Sequence, residues 1–210
     1  MNIITKLMSE LEEEELLAKV KEVLESGEEP ATVFEQCREG MSIVGQRFEK
    51  GEYFLSELIM AGEVFKQVGE VLNPYLSGKA GGAPKGKVII GTVKDDIHDL
   101  GKNIVVTMLK SANYEVEDVG EDVPPERFVE AVKKTGVKIV GLSCLLTSTI
   151  DNLTKTIEAL KEEGLDVKVM IGGGPITEDI KKQVGADALG KNAQEAVSIC
   201  DRWIKEPGVI

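Results

Sequence analysis

Apolar positions in the first third of the chain recur at helical spacing. Residues 13–26 carry Leu16, Leu17, Val20, Val23 and Leu24 on one face. Residues 31–49 place Phe34, Cys37, Met41, Val44 and Phe48 at alternating spacings of three and four. Residues 55–75 carry Leu55, Leu58, Ile59, Phe65, Val68 and Leu72 in a similar stripe. Each is the signature of an amphipathic helix. Ser26-Gly27 closes the first stripe, Pro30 falls just beyond it, and Lys50-Gly51 separates the second from the third. Ala61-Gly62 is a plausible break, so the third stripe is one helix or two. Short connections predict an antiparallel bundle, with four helices the commoner closed arrangement.

The pattern then changes. Residues 77–86, Ser-Gly-Lys-Ala-Gly-Gly-Ala-Pro-Lys-Gly, have the composition of a flexible linker. Beyond them, strand candidates at 87–93, 114–119, 138–143, 167–172 and 186–189 alternate with helix candidates at 101–112, 125–135, 149–163, 176–184 and 192–205. The first and third strand runs are almost continuously apolar, as strands covered on both faces must be. The expectation is an α/β chain: a helical cap domain over 1–76, a linker over 77–86, and a Rossmann-like domain over 87–210. The second domain is predicted to be a doubly wound, five-stranded parallel sheet of flavodoxin-like order 2-1-3-4-5.

Composition narrows the function. A formal net charge of −12 disfavours binding to nucleic acid or to an anionic membrane surface. With aromatic residues at only 4%, the core must rest on aliphatic side chains. Cys37, Cys144 and Cys200 are widely spaced and odd in number, which points away from a disulfide framework and towards a reducing cytoplasm. No signal peptide is visible, and no apolar run approaches the ~18 residues of a membrane span.

In a doubly wound sheet, ligands bind outside the carboxyl ends of the strands. Three predicted loops lie there. The first holds Asp96-Ile97-His98-Asp99-Leu100-Gly101, with His98 the only histidine of the chain. A carboxylate that accepts one ring N–H fixes the tautomer and raises the basicity of the other nitrogen. On that spacing alone, a surface histidine with acidic neighbours is the favoured reading; the other loops reverse it. The second loop, Ser143-Cys144-Leu145-Leu146-Thr147-Ser148-Thr149, offers several hydroxyls. Ser148 or Thr149 is expected to cap the following helix, which leaves Ser143 and Thr147 unexplained. The third loop, Gly172-Gly173-Gly174-Pro175, is either a plain turn or a backbone that a ligand can approach closely.

Asp96-x-His98-x-x-Gly101, then Ser143-x-Leu145, then Gly172-Gly173 resembles the DxHxxG…SxL…GG signature of B12-binding domains. Gly91-Thr92-Val93-Lys94 and Gly101-Lys102-Asn103-Ile104-Val105 resemble the methionine synthase subgroup. The N-terminal helices resemble the cap of the same group, so the likeness covers nearly the whole chain. It is nearest to the small corrinoid proteins of methanol, methylamine and aryl-ether methyltransferase systems.

The resemblance implies cobalamin or a related corrinoid, bound base-off and His-on, with His98 as the axial ligand to cobalt. Asp96 would hydrogen-bond His98, and Thr149 stands where methionine synthase extends this relay to a serine. Asp99 and Gly101 fall within the same binding motif. The nucleotide tail would pass Ser143, Leu145 and Thr147, with Gly172, Gly173 and Gly174 lining its channel. Phe48, Leu55 and Leu58 match cap positions over the methyl-bearing face; plain bundle core is the rival explanation, strongest for Leu58. The implied function is that of a methyl carrier, with His98 bound to the methylated cobalt and released from the reduced one while Asp96 helps to hold the accompanying proton. Partners would be a substrate-specific methyltransferase subunit and an acceptor methyltransferase using folate or a thiol, without which the chain would not turn over. The alternatives are the B12 subunit of an adenosylcobalamin mutase, which does not usually carry this cap, and a B12-dependent sensor, which would normally add a DNA-binding module. A flavodoxin or response regulator would leave His98, the SxL element and the cap unexplained.

Overall fold

The computed structural model describes residues 2–72, 75 and 83–206. They form two compact units, Met1–Ala83 with Ser111–Asn113, and Pro84–Lys110 with Tyr114–Ile210. Most of the glycine-rich segment read as a linker, residues 77–82, lies outside the described residues.

The first unit contains α1 (Ile3–Glu10), α2 (Glu13–Glu25), α3 (Pro30–Glu49) and α4 (Leu55–Leu72). The helix count agrees with the bundle expectation, but the fourth helix is not where the break at Ala61-Gly62 would put it. Helix α4 runs unbroken, and Ala61 faces the core. The additional helix is α1, whose eight residues are too few to show a stripe. The Asn2 side chain caps it, accepting the Ile4 N–H at 2.8 Å. Burial of Ile4, Leu7 and Met8 then holds it. The approach to α3 is close: a Cβ on Gly40 would stand 2.5 Å from Met8 Cβ. The buried stripes are also narrower than the apolar ones. Leu16, Val20 and Leu24 of α2 are buried, as are Leu58, Val64, Phe65, Val68 and Leu72 of α4, whereas Leu55 and Ile59 are exposed.

The second unit alternates strands and helices throughout. Its elements are β1 (Gly86–Thr92), α5 (Leu100–Ser111), β2 (Tyr114–Asp118), α6 (Pro125–Thr135), β3 (Ile139–Ser143), a 3₁₀ turn (Thr147–Thr149), α7 (Ile150–Glu162), β4 (Lys168–Gly172), α8 (Glu178–Val184), β5 (Ala188–Leu189) and α9 (Ala193–Trp203). The strands are all parallel, in the order β2-β1-β3-β4-β5. Ile89, Val140, Leu142 and Ile171 fill one layer of the core with Phe128, Leu153 and Ile157.

Strand β5 is shorter than its apolar run. Asp187 donates its N–H to the Val169 carbonyl at 2.9 Å and accepts the Val169 N–H on a side-chain oxygen at 2.7 Å, ahead of the paired residues Ala188 and Leu189. Register matters most at the other end of the sheet. Thr92 pairs with Ser143, and Ser143 with Gly172. The loops that follow β1, β3 and β4 therefore leave the sheet at one level, side by side.

Candidate functional site

Strand β1 delivers the chain into a loop that reverses sharply before α5. Asp95 has φ +65°, a left-handed conformation that residues with a Cβ adopt mainly when held there. Asp96, next in the chain, is completely buried. Its Oδ1 accepts the backbone N–H of His98 at 3.0 Å and stands 2.8 Å from the ring Nδ1. Its Oδ2 accepts the N–H groups of Leu145 at 2.6 Å and Leu146 at 3.1 Å, from the loop after β3. A single carboxylate thus ties the histidine loop to the SxL loop.

Burial by itself would push the Asp96 carboxyl up. The N–H groups of His98 and Leu145, the His98 ring and the Leu146 N–H together outweigh it and hold the group below the ordinary carboxylate range. An ionised carboxylate only accepts, so His98 Nδ1 carries the proton and donates it. In the neutral ring, Nε2 then keeps a free lone pair. The His98 side chain is 47% exposed, so that nitrogen can be reached.

Thr149 comes near the pair without clearly completing a relay. Its hydroxyl is 2.9 Å from the Leu146 carbonyl and 3.5 Å from Asp96 Oδ2, so its one proton serves the carbonyl. Thr149 precedes α7 at the capping position, yet its side chain makes no capping bond. Cys144 is buried beside it, with Sγ 3.3 Å from the hydroxyl and 3.4 Å from the Leu146 carbonyl.

The glycines of the third loop have a structural duty of their own. Gly173 has φ +134°, and a Cβ there would stand 1.8 Å from the Cys144 carbonyl oxygen. A Cβ on Gly172 would meet the Gly190 carbonyl at 2.9 Å. The loops after β3 and β4 are packed backbone to backbone, which the composition of a glycine run does not reveal.

The remaining candidates divide. Ser143 is half-buried, and Leu145 and Thr147 are exposed at the same end of the sheet. Gly101 is exposed on the first turn of α5, with nothing within 4 Å of an added Cβ. Asp99 turns towards α5 instead, its carboxylate accepting from Asn103 at 2.9 Å. Phe48, Leu55 and Leu58 belong to the helical unit, where Phe48 is half-buried, Leu55 is 47% exposed and Leu58 is 3% exposed. Several neighbours of the site carry no motif. Asp122 and Asn152 bond to the 94–96 backbone from distant parts of the chain, and buried Lys102 pairs with Asp118 at the start of α5.

A family model for the B12 binding domain matches residues 86–198, and a second B12-binding-domain model matches residues 2–73. The chain belongs to the B12-binding family. The dimethylamine corrinoid protein of Methanosarcina barkeri is 42% identical over 173 residues, covering 81% of each chain. The crystal structure of a novel cobalamin-binding protein from Desulfitobacterium hafniense DCB-2 superposes with a TM-score of 0.78 at 39% identity, over 95% of this chain and 96% of that one. The methanol:cobalamin methyltransferase complex of Methanosarcina barkeri gives a TM-score of 0.83 at 28% identity, over 96% of this chain and 78% of that one.

The residues present fit the cofactor of a B12-binding protein. The oriented imidazole offers one free nitrogen. Ile97 and Leu100 flank His98 in the chain, and Leu145 and Leu146 lie on the loop bonded to Asp96; all four are exposed and offer apolar surface suited to a macrocycle. Among the described residues no group of three or more His, Cys, Asp and Glu side chains could hold a metal ion.

Proposed function

We propose that this chain is a methyl carrier, working between a substrate-specific methyltransferase and an acceptor methyltransferase that uses a folate or a thiol. The amine-named relatives make a methylated amine the first donor to test. When bound, the corrinoid supplies the cobalt on which the methyl group rides. The chain's own residues hold and tune it.

The observation that carries this reading is the Asp96–His98 pair, with Nδ1 engaged at 2.8 Å and Nε2 free. His98 would hold the cobalt of the corrinoid through Nε2, in place of the cofactor's own base, which is the base-off, His-on mode. Asp96 keeps the imidazole in its Nδ1–H form and would hold the proton shared between Nδ1 and its Oδ1. Ser143 and Thr147 would donate their hydroxyls to the nucleotide tail, with Gly172, Gly173 and Gly174 beside it. Gly101 leaves room for close approach. Thr149 supports the Asp96 pocket through the Leu146 carbonyl. Bundle packing accounts for Leu58, which leaves Phe48 and Leu55 as the helical unit's candidates for contact with the cofactor.

Among the described residues no helix is long and apolar enough to cross a membrane. The three buried free thiols suit a reducing compartment, and we assign the chain to the cytoplasm.

The test is reconstitution with hydroxocobalamin, followed by isotopic methyl transfer. The expected result is one cobalt retained per chain, with label passing from a methylamine methyltransferase through this chain to the acceptor. Failure to retain cobalt, or label that never reaches the acceptor, contradicts the proposal.

A further inference from the structure

We infer that Asp122 and Asn152 are positioning residues for His98: together they clamp the 94–96 backbone in the conformation that places Asp96 under the imidazole. This deepens the reading above, since it concerns how the ligand nitrogen is presented.

The clamp is built from two elements distant in sequence. Asp122 lies in the loop between β2 and α6. Its Oδ1 accepts the Asp95 N–H at 2.8 Å and the Lys94 ammonium at 2.7 Å, and its own N–H donates to the Asp96 carbonyl at 2.9 Å. Asn152 projects from α7. Its Nδ2 donates to the Lys94 carbonyl at 2.7 Å and lies 3.3 Å from Asp95 Oδ2. The backbone of residues 94, 95 and 96 is therefore held from both sides.

What is held is costly to hold. Asp95 has φ +65° and Asp122 φ +53°, both in the region that side chains disfavour. Released from its partners, Asp95 would relax towards ordinary backbone angles. That rotation would carry the Asp96 carboxylate away from the Leu145 and Leu146 N–H groups. His98 depends on Asp96 for both its backbone N–H and its Nδ1. Its carbonyl accepts a long contact of 3.4 Å from the Thr92 hydroxyl. An error at Asp95 thus passes to the ring.

The chain has one histidine, so ¹⁵N-histidine labelling reports on His98 alone. The test reads its ring nitrogens by NMR in the cofactor-free chain, well above the ordinary imidazole pKa. The wild type should show a single tautomer, protonated at Nδ1, with a slowly exchanging ring proton. Asp122→Ala and Asn152→Ala should each give a mixture of tautomers, and the ring proton should be lost to exchange. Asp122→Asn retains an acceptor for the Asp95 N–H and should restore the single tautomer. Lys94→Met should leave the ring as in the wild type. If Asp122→Ala does not fold, Asn152→Ala decides from a separate element. A single Nδ1–H tautomer in folded alanine variants would overturn the inference, as would equal disorder in Asp122→Asn and Asp122→Ala. These outcomes do not depend on the corrinoid. A chain that fails to bind cobalamin yet shows the tautomer pattern defeats the methyl-carrier reading and leaves the clamp standing.

Discussion

The Asp96 carboxylate bonds His98 twice through one oxygen, at 3.0 Å to the backbone N–H and at 2.8 Å to ring Nδ1, while its second oxygen takes two N–H groups from the neighbouring loop. The His98 N–H, the Leu145 N–H, the His98 ring and the Leu146 N–H together explain why a buried carboxyl stays ionised. Its ionisation in turn explains why the imidazole presents Nε2.

Removing that carboxylate should damage the fold as well as the site. Asp96→Ala strands the N–H groups of Leu145 and Leu146. A donor left without a partner costs up to roughly 1–3 kcal/mol where water cannot reach it, and less at these partly exposed amides. The urea midpoint of the cofactor-free variant should fall accordingly. An unchanged midpoint would mean that the Leu145 and Leu146 amides find other partners.

The glycine loop separates steric from conformational cost. Gly27 also has a positive φ, of +92°, but open space around it, so Gly27→Ala should cost only about 1 kcal/mol. Gly173→Ala adds a collision with the Cys144 carbonyl and should be several times worse by denaturant titration. Comparable losses would mean that the two loops part easily.

In the helical unit, Leu58→Ala should destabilise by about 2–5 kcal/mol, because Leu58 is core. Leu55→Ala should change stability by less than ~0.5 kcal/mol, because Leu55 is exposed. If Leu55 serves the cofactor, its loss will appear in corrinoid affinity and not in the unfolding curve.

The Asp122 carboxyl is held below the usual carboxylate range, first by the hydrogen bond from the Lys94 side chain and then by the Asp95 N–H. A group with a depressed folded pKa adds stability that is present above its unfolded pKa and lost as pH falls through the folded value. The stability gap between wild type and Asp122→Ala should therefore be full at neutral pH and shrink below about pH 4. Denaturation midpoints measured across that range check the sign; a gap that widens in acid would contradict it.

Much of this was legible in the chain before its structure. The apolar runs 87–93 and 138–143 announced strands covered on both faces, and they became β1 and β3 in the centre of the sheet. Alternation with helical stripes then yielded the strand order. Helix α1 was hidden because eight residues span barely two turns, too few for a period to show. Asp122 and Asn152 were hidden for a different reason. An acidic residue in a loop and an asparagine in a helix look ordinary until folding brings both to the 94–96 backbone. Thr149 was found by resemblance, but its hydroxyl faces a carbonyl that lies only three residues away.

The central claim is that His98 is the lower ligand to cobalt, and the most direct test is electron paramagnetic resonance of the Co(II) form. The chain should be reconstituted with cobalamin after ¹⁵N-histidine labelling. With one histidine in the chain, labelled nitrogen on cobalt can come only from His98. The account predicts that the threefold nitrogen splitting of the unlabelled protein becomes twofold on labelling and disappears in His98→Ala. A threefold splitting that survives labelling would place the cofactor's own base on the metal and contradict it.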